Sequence, residues 1–335
     1  MSIEVKIESI VKNLGSNVKF LQPLYEAIVN SLEANARHIK VIFHKSKTLD
    51  DTQFCGKLEG FDIIDDGDGF NENNRNAFSE LWTTNKIKLG CKGSGRFTWL
   101  NVFSNIYIDS YIKAENVHVS IPFDLKYEKA NIVIKQENVH ENKTTISFKN
   151  ITEKYKFISG KKECQCDANL AYIKKSILDY LLVKLFLMSK NHREFELRLV
   201  LDESIEIINN ETIPELNSKN FKITSDITDE SFNFTLYYLF KNDGKNSKKM
   251  YFCSNNRSTK EIDDDSLGFS ASLPDKTSFI MLLTSKYFDD KDDDGRGDLI
   301  RLTNLKQPTL DCPLLLSKIT KEAKKEMKLI INENV

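Results

Sequence analysis

The sequence predicts an α+β fold in two domains that meet near residue 190. Three observations carry this. Apolar residues recur at helical spacing in three separate segments before residue 190, with strand-like alternation between them. Beyond it the pattern becomes a series of short strand-like runs broken by hydrophilic turns and closed by one helix. Glycine, finally, is scarce and clustered. There are 13 in 335 residues, roughly 4% where about 7% is usual. Gly56, Gly60, Gly67, Gly69, Gly90, Gly93 and Gly95 fall within one stretch of forty residues, which marks it as needing unusual backbone.

The elements follow in order. From Val18 to Ala36 the spacing is helical: Leu21, Leu24, Ile28 and Leu32 fall on one side, with Glu26, Asn30 and Glu33 on the other. Strand-like runs cover Ile39 to His44 and Phe61 to Ile64, and a helix is expected from Arg75 to Trp82. Trp99 to Tyr111 reads as a helix end passing into a strand. Apolar alternations follow at Val117 to Phe123, Ile132 to Lys135 and Thr144 to Phe148, and a helix from Ala168 to Met188 closes the first half. In the second half, strands are expected at Phe195 to Leu201, Ile205 to Ile208, Phe221 to Ile223, Phe232 to Phe240, Met250 to Cys253 and Phe279 to Leu283. A lysine-rich amphipathic helix from Leu314 to Ile331 comes last.

Composition narrows the function classes. A length of 335 residues suits about two domains with real cores. With 48 Lys+Arg against 49 Asp+Glu the net charge is −1, so the chain as a whole is no basic nucleic-acid binder, although a local basic face is compatible with that balance. The opening MSIEVKIESIVKNLG carries acids and no apolar core, unlike a signal peptide. No apolar run approaches the roughly 18 residues a membrane span needs. Six scattered cysteines fit a reduced, cytoplasmic protein with free thiols. Cys164-Gln-Cys166 lacks a second pair or nearby histidine to complete a zinc set. The acidic run from Asp289 to Asp298 begins like a calcium loop but has Arg301 where a bidentate glutamate is required, so it reads as a solvated loop.

Three motifs carry the chemistry. The helical face Glu26-Ala-Ile-Val-Asn30-Ser-Leu-Glu33-Ala34 is, taken alone, an ordinary polar face. It also places a carboxylate and an amide one turn apart, where the first can take a proton from water and the second can ligate Mg²⁺. In Ile63-Ile64-Asp65-Asp66-Gly67-Asp68-Gly69, a strand runs into an acid and two alternate glycines. This is either a tight acidic turn or an acceptor for an exocyclic amine with backbone closing on a flat base. Gly90-Cys-Lys-Gly93-Ser94-Gly95-Arg96-Phe97 precedes an apolar helix, an arrangement able to cradle phosphate. It is neither a P-loop nor a dinucleotide fingerprint, since Thr98 stands where the third glycine of the latter belongs.

Taken together and in this order, the motifs resemble the GHKL ATPase superfamily, which includes DNA gyrase B, a heat-shock chaperone, histidine kinases, MutL and MORC proteins. EAIVNSLEA looks like its first motif, DDGDG its D-x-G-x-G and GCKGSG its G-x-x-G-x-G lid. Lys143-Thr144-Thr145-Ile146 stands where a threonine-containing fourth motif belongs, although Lys143 replaces a common glycine. Thr83-Thr84-Asn-Lys86 is similar to a lid segment of MutL-like members. The resemblance covers about 150 residues and is closest in layout to MutL-like and MORC-like proteins.

It implies a two-layer α/β sandwich of the GHKL (Bergerat) type over residues 1–190 and a smaller α+β transducer-like domain over 191–335. Glu26 is then the general base and Asn30 the Mg²⁺ ligand. Asp65 binds the adenine amine, supported by Thr144 or Thr145. The ATP-binding set comprises Asn30, Glu33, Ala34, Asp65, Gly67, Gly69, Thr84, Lys86, Gly93, Ser94, Gly95, Arg96, Phe97, Thr144 and Thr145. Arg96 is expected to reach either the γ-phosphate or solvent, and Lys306 is a candidate transducer lysine for the γ-phosphate. The implied cofactors are ATP and Mg²⁺, with a homodimer forming on ATP binding and a DNA or protein client. The expected activity is slow ATP hydrolysis driving a conformational clamp, in DNA repair, DNA compaction or anti-phage defence. A histidine protein kinase and a non-hydrolysing nucleotide-binding scaffold are the alternatives.

Overall fold

The computed structural model describes residues 7–8, 11, 18–45, 58–80, 95–153, 168–242, 244, 246–254, 257–262, 273–291, 299, 302 and 305–334. The chain divides into two compact units. The first comprises Met1–Leu181 with Glu194–Thr212, and the second Leu182–Arg193 with Ile213–Val335.

The first unit is built on eight strands: β1 (His38–Lys45), β2 (Leu58–Asp65), β3 (Phe103–Ile112), β4 (Val117–Phe123), β5 (Val133–Gln136), β6 (Lys143–Ile151), β7 (Glu196–Leu201) and β8 (Ser204–Asn209). They form one sheet in the order β5-β4-β3-β6-β2-β1-β7-β8. All neighbours are antiparallel except β1 and β7. Alternate residues are buried: Ile39, Val41 and Phe43 on β1, Ile63 and Asp65 on β2, Ile146 and Phe148 on β6. Their neighbours Lys40 and Lys143 are exposed. This period of two shows a sheet covered on one face only.

Helices α1 (Gln22–Glu33), α2 (Glu72–Glu80) and α3 (Gly95–Val102) cover that face, as the sequence's two-layer expectation requires. The joint is aromatic. Phe20, just before α1, meets Phe103 edge-on at 5.7 Å, Phe78 of α2 meets Phe123 at 5.2 Å, and Trp99 of α3 meets Phe148 at 5.2 Å. α1 starts with Pro23 in its first turn, where no backbone donor is needed, and buries Leu24, Tyr25, Ala27, Ile28, Ser31 and Leu32. It stops because Asn35 turns left-handed, at φ 64°. α2 begins three residues before its expected start, because the Asn71 side chain accepts the Asn74 amide at 3.0 Å and caps the helix.

Helix α4 (Leu170–Lys190) is capped likewise by Asn169, which accepts the Tyr172 amide at 3.0 Å. The boundary expected near residue 190 needs correction. β7 pairs in parallel with β1, from His38 opposite Glu196 to Ile42 opposite Val200, so β7 and β8 belong to the first unit. Residues 182–193 of the helical segment belong to the second.

The second unit has five strands, β9 (Asn217–Thr224), β10 (Ser231–Asn242), β11 (Lys248–Ser254), β12 (Arg257–Ile262) and β13 (Thr277–Thr284), ordered β12-β11-β13-β10-β9. Short α5 (Lys286–Asp290) is capped by Ser285, and α6 (Leu316–Asn334) ends the chain's described part. One face of this sheet packs Phe234, Phe252, Phe279 and Met281 against Ile319, Ala323, Met327 and Ile330 of α6. The other packs Cys253 and Leu282 against Leu187 of α4. Cys253 and Cys312 are buried. Among the described residues, no helix is long and apolar enough to cross a membrane.

Candidate functional site

Asp65 ends β2 on the buried face of the sheet and is only 5% exposed. Its carboxylate accepts the Ser31 hydroxyl from α1 at 2.8 Å and the Gly67 amide at 3.0 Å. Burial pushes this carboxyl above its ordinary pKa, and the Asp66 charge pushes the same way; the two hydrogen bonds pull against them. A carboxylate offers about four lone-pair positions, so the pair of protein donors leaves acceptor capacity for an amine.

The following turn is fixed by close approach. A Cβ at Gly67 would stand 2.6 Å from the Ala34 carbonyl oxygen, and one at Gly69 would stand 2.5 Å from the Ser110 hydroxyl. Gly69 is also left-handed, at φ 64°. The Asp68 amide donates to the same Ala34 carbonyl at 2.7 Å, stitching the turn to the end of α1. Asp66 faces outward and accepts the Arg37 amide at 2.8 Å, the His38 amide at 2.9 Å and the His38 ring at 2.7 Å. Burial raises its pKa, but these bonds outweigh burial and hold the carboxyl below its ordinary value.

Across the sheet, Asp65 stands directly opposite Thr144 on β6, and Thr144 opposite Ser110 on β3. The two hydroxyls are 2.9 Å apart, and Ser110 also accepts the Phe70 amide at 3.0 Å. Thr144 therefore shares Asp65's buried face, whereas Thr145 points to the opposite one. Ser31 and Ser110 belong to this cluster and were not singled out from the sequence. The available signal for Ser31 was a hydroxyl inside the apolar stripe of α1.

The other expected residues fall in several places. On α1, Glu26 is half-buried while Asn30 and Glu33 are exposed. Glu26 accepts the Gln22 amide nitrogen at 3.0 Å. Ala34 enters the cluster through its carbonyl. Gly95 opens α3, and Phe97 is buried.

Arg96 departs from one of the two expectations for it, solvent. It is 6% exposed, its guanidinium lying 4.5 Å from the centre of the Phe78 ring and 5.1 Å from that of Phe97. Its Nε and Nη2 are buried without a hydrogen-bond partner, and burial lowers its pKa to about 10. Lys306 is exposed in the second unit. Thr84, Lys86, Gly93 and Ser94 lie outside the described residues, as do Cys164, Cys166 and residues 292–298 of the acidic run. Among the described residues no group of three or more His, Cys, Asp or Glu side chains is arranged to hold a metal.

A buried acid at a strand end, a glycine turn pressed on a helix terminus and a hydroxyl pair across the sheet thus lie together at one place in the first unit. Residues 18–156 match the family model described as "Histidine kinase-, DNA gyrase B-, and HSP90-like ATPase". The match covers the segment that holds this cluster and is a similarity to that family.

The crystal structure of the N-terminal domain of a DNA repair protein is 13% identical and covers 99% of each chain at a TM-score of 0.50. The 43K ATPase domain of Thermus thermophilus gyrase B, in complex with an aminocoumarin, is 10% identical over 99% of this chain and 91% of that one, at a TM-score of 0.44. The Aquifex aeolicus MutL ATPase domain complexed with ADP is 11% identical over 84% and 92%, at 0.39. At these identities the likeness is one of fold, and it rests on the first of the three. No curated protein sequence matches the chain.

Proposed function

We propose that the first unit binds ATP with Mg²⁺ and hydrolyses it slowly, using the cycle to close the 86–97 lid and to bring two copies together as a clamp on DNA or a protein client. The observation that carries this reading is the buried Asp65 carboxylate, held by Ser31 and Gly67 and registered opposite Thr144. Asp65 accepts the adenine amine, with Thr144 beside it, and Gly67 and Gly69 let backbone approach the ring.

Glu26 takes a proton from the water that attacks the γ-phosphorus, and ADP leaves as the bond to the γ-phosphoryl breaks. Asn30, exposed on α1, would hold Mg²⁺ through its amide oxygen, and the ion would supply charge neutralisation at the phosphates. Gly93, Ser94, Gly95 and Arg96, with Thr84 and Lys86, form the phosphate-side lid. Lys306 is the transducer candidate of the second unit. Repair, compaction and anti-phage defence are the roles to which such a clamp belongs.

The test is nucleotide binding and phosphate release by three purified proteins. Asp65→Asn is expected to lose ATP binding. Glu26→Ala is expected to keep binding but lose about 100-fold or more of its turnover. Chelation of Mg²⁺ stops release. Unchanged turnover in Glu26→Ala overturns the mechanism, and γ-label retained on the protein replaces it with kinase chemistry.

A further inference from the structure

We propose that Gln22 and Tyr180 are positioning residues for the Glu26 carboxylate, tying the candidate general base of α1 to α4. This rests on the hydrolysis reading above.

Gln22 opens α1 one turn before Glu26, and the two share a face at the i, i+4 spacing. A residue at a helix start commonly caps it, but the start of α1 has no side-chain cap, and Pro23 in the first turn needs none. The Gln22 amide is directed sideways instead. Its nitrogen carries two hydrogens. One is given to Glu26 Oε1 at 3.0 Å, the other to the Tyr180 hydroxyl at 2.6 Å.

The phenol is itself held in place. The Tyr180 and Tyr25 rings stack with centroids 4.3 Å apart and planes 18° apart, so Tyr180 lies along the α1 surface rather than swinging in solvent. Burial raises the Tyr180 pKa first, Gln22 opposes, and the Glu26 charge adds to the rise, so the carboxylate is felt at the hydroxyl.

The arrangement orients the base. A glutamate side chain has three rotatable bonds, and pinning one carboxylate oxygen to an amide fixes the direction in which the carboxylate accepts a proton. A donor of this kind also favours the charged form, the form able to act as a base. Gln22 holds the carboxylate, and Tyr180 holds Gln22. Misplacing a base by about an ångström costs up to about 100-fold in rate, so loss of the amide is expected to appear in turnover rather than in nucleotide affinity.

The experiment measures kcat, ATP Kd and melting temperature for Gln22→Ala, Tyr180→Phe, the double variant and each of them in the Glu26→Ala background. Gln22→Ala is expected to lower kcat about tenfold or more, with Kd and melting temperature held. Tyr180→Phe, which keeps the ring stack, lowers kcat about two- to tenfold, the weight of one hydrogen bond. The double variant falls no further than Gln22→Ala alone, because Tyr180 acts through Gln22. In the Glu26→Ala background neither change alters the residual rate.

A wild type that releases no phosphate overturns the hydrolysis reading and this proposal together. Turnover lost in Glu26→Ala but untouched in Gln22→Ala and Tyr180→Phe overturns this proposal alone. A rise in Kd and a fall in melting temperature in step with the fall in kcat make the two residues merely structural and also overturn it.

Discussion

At the scale of the residue, Asp65 is a carboxylate whose folded-state pKa lies above its unfolded one. Its contribution to stability is therefore complete only below the unfolded value of about 3.9, and is lost as pH rises through the folded value. Asp65→Asn keeps the shape without the charge. It is expected to melt above the wild type at pH 8, with the gap closing toward pH 4; ligand-free melts showing a gap constant with pH would refute the electrostatic account. The glycines of the turn are constrained by space. Gly67→Ala drives a Cβ into the Ala34 carbonyl and is expected to cost about 1–3 kcal/mol in urea unfolding. Arg96 gives the opposite expectation: a buried guanidinium with unpartnered Nε and Nη2 is a poor contributor to stability. Arg96→Met should melt at or above the wild-type temperature, and a fall of more than a few degrees would contradict that. Asp65 was legible because a strand ending in an acid before alternate glycines has few ordinary uses. Ser31 was not, because a serine in an apolar helical stripe carries no trace of the strand it will face. The burial of Arg96 was hidden for the same reason, since its ring partner Phe78 lies 18 positions away on another helix.

At the scale of the element, strand register decides what spacing along the chain cannot. Thr144 and Thr145 are equivalent in a one-dimensional motif, yet the β2–β6 ladder sets Asp65 against Thr144 and Ile64 against Thr145. Thr144→Val is expected to cost about 1 kcal/mol by removing the Ser110 contact and to weaken ATP binding. Thr145→Val should leave both near wild type in calorimetry, and the reverse ranking would reject the assignment. Periodicity found α1, α4 and most of the strands because each buries one face, which imprints a period of 3.6 or 2 on the sequence. It missed β12, whose Arg257–Ile262 run is mostly polar and is held chiefly by its ladder with β11. It also missed α5, five residues long and too short for a repeat to register.

At the scale of the whole molecule, the division into units follows pairing rather than position along the chain. A fragment ending at residue 190 would leave the β1 edge unpaired, an invitation to association between chains. It is expected to elute as aggregate in size-exclusion chromatography, whereas the full chain does not; a monodisperse fragment would show that β7 and β8 are dispensable. The composition change near residue 190 was visible in the sequence, but it marks a change of local pattern. The parallel partner of Glu196–Leu201 lies far upstream, out of reach of any local signal. That pairing also sets an order of events in time. His38 meets Glu196 across a separation of 158 residues (196 minus 38), and contacts so distant along the chain form late. During synthesis at roughly 5–20 residues per second, β1 must wait on the order of ten seconds or more for its partner to be made. The β3–β4 hairpin, joined by a short turn, can close long before. The nascent first unit thus passes through an interval with one sheet edge open, and any factor shielding exposed strands would have its use in that interval.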